Sequence, residues 1–153
     1  MTTTTIEPVR TQVRVNASPE RAFQAFTDMS AWWPLDSHHI GEAAAAEAVI
    51  ERRDGGRWYE RGDDGTECEW GRVLVYEPPA RLVLVWQIGA DWKHHPELHT
   101  EVEVTFTPDG DGTLVALEHR DLEAFGDAGP SMRETFGSPG GWSGLLERFA
   151  ANL

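Results

Sequence analysis

The feature that most constrains the fold of this chain is a succession of short strand-like runs, most of them joined by tight turns. The clearest run, residues 100–107, alternates apolar residues with glutamate and threonine, which is typical of a strand with one buried face. Further strands are predicted at residues 9–16, 47–53, 57–61, 66–76, 80–88 and 113–120. Because glycine-rich turns follow one another along the chain, the pattern predicts an antiparallel meander.

Two of these turns lie in a charged, glycine-rich stretch, residues 52–73. Asp54-Gly55-Gly56 and Gly62-Asp63-Asp64-Gly65 supply the positive-φ positions that hairpins need. Neither cluster has the spacing of a phosphate-binding loop, and no helix pattern follows the glycines. The stretch therefore predicts turns rather than a phosphate site.

Two amphipathic helices accompany the strands. Ser18 and Pro19 are typical of a helix start, and apolar residues at helical spacing follow them. A C-terminal helix is predicted to begin with Ser138 as its N-cap and Pro139 at its first position. Its apolar stripe contains Trp142, Leu145, Leu146 and Phe149. A sheet with one apolar face needs a cover, and we expect the C-terminal helix to supply it.

Size and charge exclude several classes of protein. The 153 residues predict one domain, spanning residues 1–153 with a core at about 9–150. The net charge of −13 disfavours binding to nucleic acid, and the longest apolar run, residues 82–86, is too short to enter a membrane as a spanning segment. The single cysteine and the lack of a signal-like amino terminus predict a cytoplasmic protein.

Several motifs resemble one known group of proteins. They are Gly55-Gly56-Arg57-Trp58-Tyr59-Glu60, Trp70-Gly71-Arg72-Val73, Glu77-Pro78-Pro79-Ala80-Arg81-Leu82 through Trp86, and Gly140-Gly141-Trp142. The chain is similar to the SRPBCC (START-like) superfamily, and within it to homologues of the activator of the heat-shock protein 90 ATPase. The resemblance implies an α+β helix-grip fold of the START-like and Bet v 1-like type, with a curved antiparallel sheet around a long C-terminal helix. It also implies a cavity between the sheet and that helix.

The tryptophans indicate where such a cavity would be lined. Seven occur in the chain, and several fall on successive predicted strands or on the covering helix. We expect them to face one chamber with their indole N–H groups directed inward, although the alternative is that they form only core. The candidate ligand contacts are Trp33, Trp58, Trp70, Trp86, Val104, Phe106, Leu117, Trp142, Leu145, Leu146 and Phe149.

Two polar residues are candidates for catalysis. Glu60 shares a strand face with Trp58, and His119 shares one with Val115 and Leu117, so both are predicted to face the cavity as an acid–base pair. The structural alternatives are a satisfied core histidine and a glutamate paired with Arg72. Strand parity further predicts that Arg72 and Glu69 lie on opposite faces.

The remaining reactive side chains favour no metal or cofactor. His38-His39 and His94-His95-Pro96-Glu97-Leu98-His99 lack the spacing of a helical zinc site and are predicted to lie in polar loops near the cavity mouth. Cys68 is predicted to act as a small apolar residue rather than a nucleophile. We therefore expect no metal and no cofactor.

Three functions remain open at this stage. The first is binding of a small hydrophobic or aromatic ligand in the internal cavity. The second is an enzyme that acts on such a ligand with Glu60 and His119 as acid and base. The third, implied by the resemblance alone, is a chaperone-linked interaction module. Both a monomer and a homodimer are compatible with the sequence.

Overall fold

A single curled antiparallel sheet dominates the computed structural model, which describes residues 5–153. The strands are β1 (Val9–Val15), β2 (Ala45–Ile50), β3 (Arg57–Gly62), β4 (Glu67–Glu77), β5 (Arg81–Trp86), β6 (Thr100–Asp109) and β7 (Gly112–Arg120). Their order across the sheet is β1-β7-β6-β5-β4-β3-β2, so β2 to β7 form a meander and β1 pairs with β7. The predicted antiparallel meander is confirmed. Residues 1–4, part of the terminus predicted to carry no secretory signal, lie outside the described residues.

In the described part of the chain, three α-helices accompany the sheet: α1 (Pro19–Thr27), α2 (Gly129–Phe136) and α3 (Trp142–Ala151). In α1 the Ser18 hydroxyl accepts a hydrogen bond from the Arg21 amide, as the predicted cap requires. The apolar stripe of α3 is buried, with Phe149 fully inaccessible. The chain therefore has the α+β helix-grip fold. No helix within residues 5–153 has both the length and the apolarity needed to span a bilayer.

The start of the C-terminal helix differs from the prediction. The helix α3 has ten residues and begins at Trp142, after a tight turn in which the Gly141 amide donates to the Ser138 carbonyl. A Cβ at Gly141 would lie 2.2 Å from the Phe136 carbonyl oxygen, so the chain folds back too closely there for any larger residue. Ser138 and Pro139 therefore belong to the connection between α2 and α3, and α2 itself was not predicted from the sequence.

Register shifts control which residues of β4 face the core. One lies where Trp58 pairs with Gly71 and Tyr59 with Glu69, which leaves Trp70 as the additional residue of a β-bulge. Because of this bulge, Glu69 and Arg72 both lie opposite outward-facing residues of β3, and the prediction that they lie on opposite faces is wrong. Trp70 itself is buried on the inner face. The bulge thus turns an indole toward the interior.

Candidate functional site

A cavity of about 450 Å³ lies where the inner face of the sheet meets the start of α3 and the loop after α1. Its buried wall is formed by indole, phenyl and aliphatic groups, and its rim is formed by polar loop residues. The lining residues are Trp33, Ser37, His38, His39, Ile40, Trp70, Trp86, Ile88, Trp92, Thr135, Phe136, Ser138, Gly140, Gly141, Trp142 and Leu145. Exposed residues among them, including Trp92 and Thr135, show that the cavity reaches the surface.

Four buried tryptophans of the wall already use their N–H groups within the protein. Trp33 donates to the His38 carbonyl at 2.8 Å and Trp86 to the Ile88 carbonyl at 2.8 Å. Trp70 donates to the Glu60 carboxyl at 2.8 Å and Trp142 to His119 Nδ1 at 3.0 Å. The expectation that these N–H groups are directed into the chamber is therefore wrong. What the wall offers a ligand is aromatic carbon.

Glu60 lies behind this wall, at 1% exposure on β3. Besides the Trp70 indole, its carboxyl accepts hydrogen bonds from the backbone amides of Ile40 at 2.6 Å and Gly41 at 3.2 Å. Arg72, the predicted alternative partner, is exposed and forms no ion pair with Glu60. Glu60 therefore fastens the loop at residues 38–41 to the sheet and fixes the orientation of one wall indole.

His119, on β7, is also buried behind the wall, and its hydrogen bonds determine its tautomer. Because the Trp142 indole can only donate, His119 Nδ1 is the acceptor and Nε2 carries the proton. Nε2 then donates to Thr100 Oγ1 at 2.9 Å, and that hydroxyl donates to the Trp86 carbonyl at 3.0 Å. Complete burial lowers the pKa of His119 to about 3, and a proton added at Nδ1 would face the indole N–H. The imidazole is therefore neutral at physiological pH.

No hydrogen bond joins Glu60 to His119, and neither residue is part of the cavity lining. Three strands, β4 to β6, separate their strands in the sheet. Each instead holds a different wall tryptophan by its N–H group. The predicted contact between the two as an acid–base pair is therefore wrong, and the geometry makes them positioning residues for the wall.

The predicted ligand contacts divide into two groups. Trp33, Trp70, Trp86, Trp142 and Leu145 line the cavity. Trp58 packs behind Trp70 and Trp86, with ring centroids 5.6 Å from each. The others, Val104, Phe106, Leu117, Leu146 and Phe149, are buried in the core and do not reach the cavity. Alternation and helical spacing identify an inner face, but they do not show where along that face the packing leaves space.

Several lining residues were not predicted. Phe136 and Thr135 come from α2, and Trp92 comes from the connection between β5 and β6. The signal for Trp92 was available, because a tryptophan in the polar segment Ala90-Asp91-Trp92-Lys93 has no strand or helix stripe to join.

The two histidine clusters, at residues 38–39 and 94–99, differ in their position relative to the cavity. His38 and His39 lie at the cavity rim, where His38 Nε2 bonds to the Gly140 carbonyl at 2.8 Å and Nδ1 to the Ser37 hydroxyl at 2.8 Å. His94, His95 and His99 lie outside the cavity lining. Within residues 5–153 no three His, Cys, Asp or Glu side chains are grouped as metal ligands would be.

Cys68 is partly buried beside Glu60. Burial, with smaller contributions from the nearby carboxylates, raises the pKa of the Cys68 thiol. A raised thiol pKa is unfavourable for a nucleophile.

The sheet, the α3 cover and an aromatic cavity at their junction define a protein of the helix-grip, SRPBCC class. Residues 16–153 match the family described as "Activator of Hsp90 ATPase homolog 1-like protein". The chain belongs to this family. Among curated proteins no match to the chain was found.

Solved structures that match the chain include two that are at least 30% identical to it and others that share only the fold. The chain is 39% identical to the anthrahydroquino-γ-pyrone synthase Txn09, over 97% of this chain and 98% of that one, with a TM-score of 0.67. It is 30% identical to CalC, a self-sacrificing resistance protein from Micromonospora echinospora, over 95% and 92% of the two chains, with a TM-score of 0.70. An AHSA1-like protein from Aeromonas hydrophila is 17% identical over 95% and 90%, with a TM-score of 0.61, and shows the fold alone.

Proposed function

We propose that this protein binds a small, planar, polycyclic aromatic molecule in the tryptophan-walled cavity. The observation that carries the proposal is the wall itself, because four buried indoles border one space of about 450 Å³ and each donates its N–H to a protein acceptor. The volume is within the range of roughly 300–1,000 Å³ typical of small-molecule sites. A flat aromatic ligand would match these surfaces by stacking and edge contacts.

The rim complements the apolar wall. Ser37, His39, Thr135 and Ser138 place polar groups at the cavity entrance, where oxygen substituents of a ligand would be met. This arrangement of apolar wall and few polar groups is typical of small-molecule sites. The likeness to Txn09, whose name denotes a synthase of an anthrahydroquinone-type product, supports the same class of ligand.

The proposal is tested by calorimetric titration with emodin, a trihydroxyanthraquinone, and with decanoic acid as a flexible apolar comparator. We expect emodin to bind with a dissociation constant in the micromolar range, about −8 kcal/mol, and decanoic acid to bind at least about tenfold more weakly. Equal affinity for the two compounds would contradict the preference for planar ligands. Failure of both to bind would contradict the proposal.

A pair of adjacent tryptophans provides a matched control. Trp33 lines the cavity, whereas Trp32 is equally buried but packs against Phe26 and Phe149 in the core. We expect Trp33→Leu to weaken emodin binding about tenfold, because a stacking surface is lost, and Trp32→Leu to leave the affinity within about threefold. Equal losses in the two variants would mean that the effect comes from general destabilisation.

A second candidate function is ring closure on such a ligand, which the 39% identity to Txn09 favours. Glu60 and His119 are fully engaged behind the wall, so a proton-transfer group would come from the rim. His39 lies there with Nδ1 bonded to the Gly41 carbonyl at 3.0 Å. The test is incubation with an anthraquinone that carries a hydroxyl beside a 1,3-diketone chain. Closure would form a C–O bond and release one water, which mass spectrometry detects.

Comparison of variants separates the two candidates. Turnover that is abolished by His39→Gln, with emodin affinity retained, would identify an enzyme. Tight binding of the precursor without accelerated loss of water would identify a carrier. The chaperone-linked function draws support only from the family description, and no described residue argues for it.

A further inference from the structure

Trp92 has an unusual backbone conformation for a residue of its size. Its φ is 60°, in the left-handed region that bulky residues rarely adopt. The other non-glycine residue with positive φ in the described part of the chain is Asp121, a type that tolerates this region. A strained conformation at a bulky residue persists only where the surrounding structure imposes it, and such residues cluster at functional sites.

A tight turn imposes this conformation. The Trp92 amide donates to the Gly89 carbonyl at 2.9 Å, and the Gly89 amide donates to the Lys93 carbonyl at 2.9 Å. Asp91 accepts from the Lys93 amide at 3.1 Å and bonds to His95 Nε2 at 2.9 Å. A Cβ at Gly89 would lie only 2.7 Å from the His95 ring. The turn is therefore packed tightly enough to hold Trp92 in a fixed position.

The side chain of Trp92 is exposed at the edge of the cavity. It is 46% exposed, and it borders the mouth of the tryptophan-walled cavity. Leu74, the other large apolar side chain exposed within residues 5–153, lies on β4 away from the cavity. An exposed indole beside an aromatic cavity gains burial only when something occupies that cavity.

Its hydrogen bonding also separates Trp92 from the other tryptophans. The indole N–H groups of Trp32, Trp33, Trp58, Trp70, Trp86 and Trp142 all donate to protein acceptors. Within residues 5–153 the indole N–H of Trp92 has no such acceptor. The Trp92 side chain, at 46% exposure, therefore adds less burial to the fold than the other six and forms no indole hydrogen bond within the described residues.

From these observations we infer that Trp92 is a specificity-determining residue that closes the cavity mouth by stacking its indole on a planar aromatic ligand. The inference rests on the proposed function and adds the residue that distinguishes flat aromatic ligands from flexible acyl chains. A flat ring system would cover the exposed indole face, whereas an acyl chain would offer it little matching surface. Binding would thus bury the apolar surface that the strained turn holds in place.

The test measures emodin and decanoic acid binding to Trp92→Asn, since asparagine tolerates positive φ. We expect the emodin affinity to fall about tenfold and the decanoic acid affinity to stay within about twofold. The melting temperature should be unchanged or higher, because the strain of a bulky residue at φ 60° is relieved. Trp92→Phe, which keeps a stacking ring, should retain emodin affinity within about threefold. Leu74→Asn, a matched loss of exposed apolar surface, should change neither affinity.

The other possible outcomes would contradict the inference alone or the inference together with the proposed function. Emodin binding to Trp92→Asn at wild-type affinity would overturn the stacking role and leave the proposed function standing. A fall in affinity accompanied by a fall in melting temperature would assign Trp92 a structural role and overturn the inference. Loss in Trp92→Phe as large as in Trp92→Asn would overturn stacking. Absence of emodin binding to the unaltered protein would overturn both the inference and the proposed function.

Discussion

Among single residues, Glu60 and His119 are buried on the inner face of the sheet and support the cavity wall from behind. Glu60 holds the Trp70 indole and the loop at residues 38–41, and His119 holds the Trp142 indole. A buried polar group without partners would be destabilising, and both are fully partnered. The two polar residues thereby fix the orientation of two indoles of the cavity wall.

The burial of His119 predicts a pH dependence of stability. Its folded pKa of about 3 lies below the value of about 6.5 expected in the unfolded chain, so the unfolded state binds more protons as the pH falls below 6.5. We expect this residue alone to reduce the free energy of unfolding by about 2 kcal/mol between pH 7.5 and pH 5. Urea unfolding at the two pH values, compared between the wild type and His119→Gln, measures the difference.

The other titratable groups with shifted pKa values do not mask this loss of stability between pH 7.5 and pH 5. The lowered carboxyl pKa values, such as those of Glu101 and Glu103, cause loss of stability only at lower pH, as these groups titrate below their unfolded values. His95 has a raised pKa because of its hydrogen bond to Asp91, so its contribution is lost as the pH rises, which is the opposite sign. His95→Gln should therefore keep the acid-side loss, and a His119→Gln protein with the wild-type pH slope would contradict the assignment.

Among the secondary-structure elements, α3 connects the cavity to the core. Its first residue, Trp142, lines the cavity, while Phe149 near its other end packs against Phe26 and Trp32 at centroid distances of 5.4 and 5.7 Å. One short helix thus both forms a wall and anchors it. A loss of packing at its far end is expected to loosen the wall as well.

This anchoring predicts a large effect of Phe149→Ala. Phe149 is fully buried, and removing its ring is expected to lower the free energy of unfolding by about 3–5 kcal/mol through lost burial and a residual void. Glu147→Ala, an exposed change on the same helix, should alter it by less than about 0.5 kcal/mol. A loss below about 1 kcal/mol in Phe149→Ala, measured by urea unfolding, would mean that α3 is not packed as described.

Periodicity alone was sufficient to predict most of the elements, but not where they bend. The alternation in β6 and the stripe of α3 each reflect one buried face, which is a local property of the sequence. The bulge at Trp70 and the start of α3 at Trp142 depend on contacts between segments, such as the approach of Gly141 to the Phe136 carbonyl. For the same reason His119 was placed on the correct face, but its partners Thr100 and Trp142 were not predicted.

At the scale of the whole molecule, the cavity joins segments that are distant along the chain. Its lining comes from the loop after α1, from β4 and β5, from the β5–β6 connection and from the α2–α3 region. The hydrogen bond between His38 and the Gly140 carbonyl already links two of these segments across 102 residues. A ligand that contacts all of them would act as a further cross-link of the native state.

Ligand binding should therefore stabilise the entire fold. At a free emodin concentration one hundred times the dissociation constant, mass action adds about 2.7 kcal/mol to the free energy of unfolding. For a chain of this size that corresponds to a rise of roughly 5–10 °C in melting temperature. The measurement is thermal unfolding followed by circular dichroism. Trp33→Leu at the same emodin concentration should show about half that rise, because a tenfold weaker affinity leaves about 1.4 kcal/mol of stabilisation. A wild-type melting temperature that stays constant while calorimetry reports binding would mean that emodin binds the unfolded chain equally well, and that the cavity is not its site.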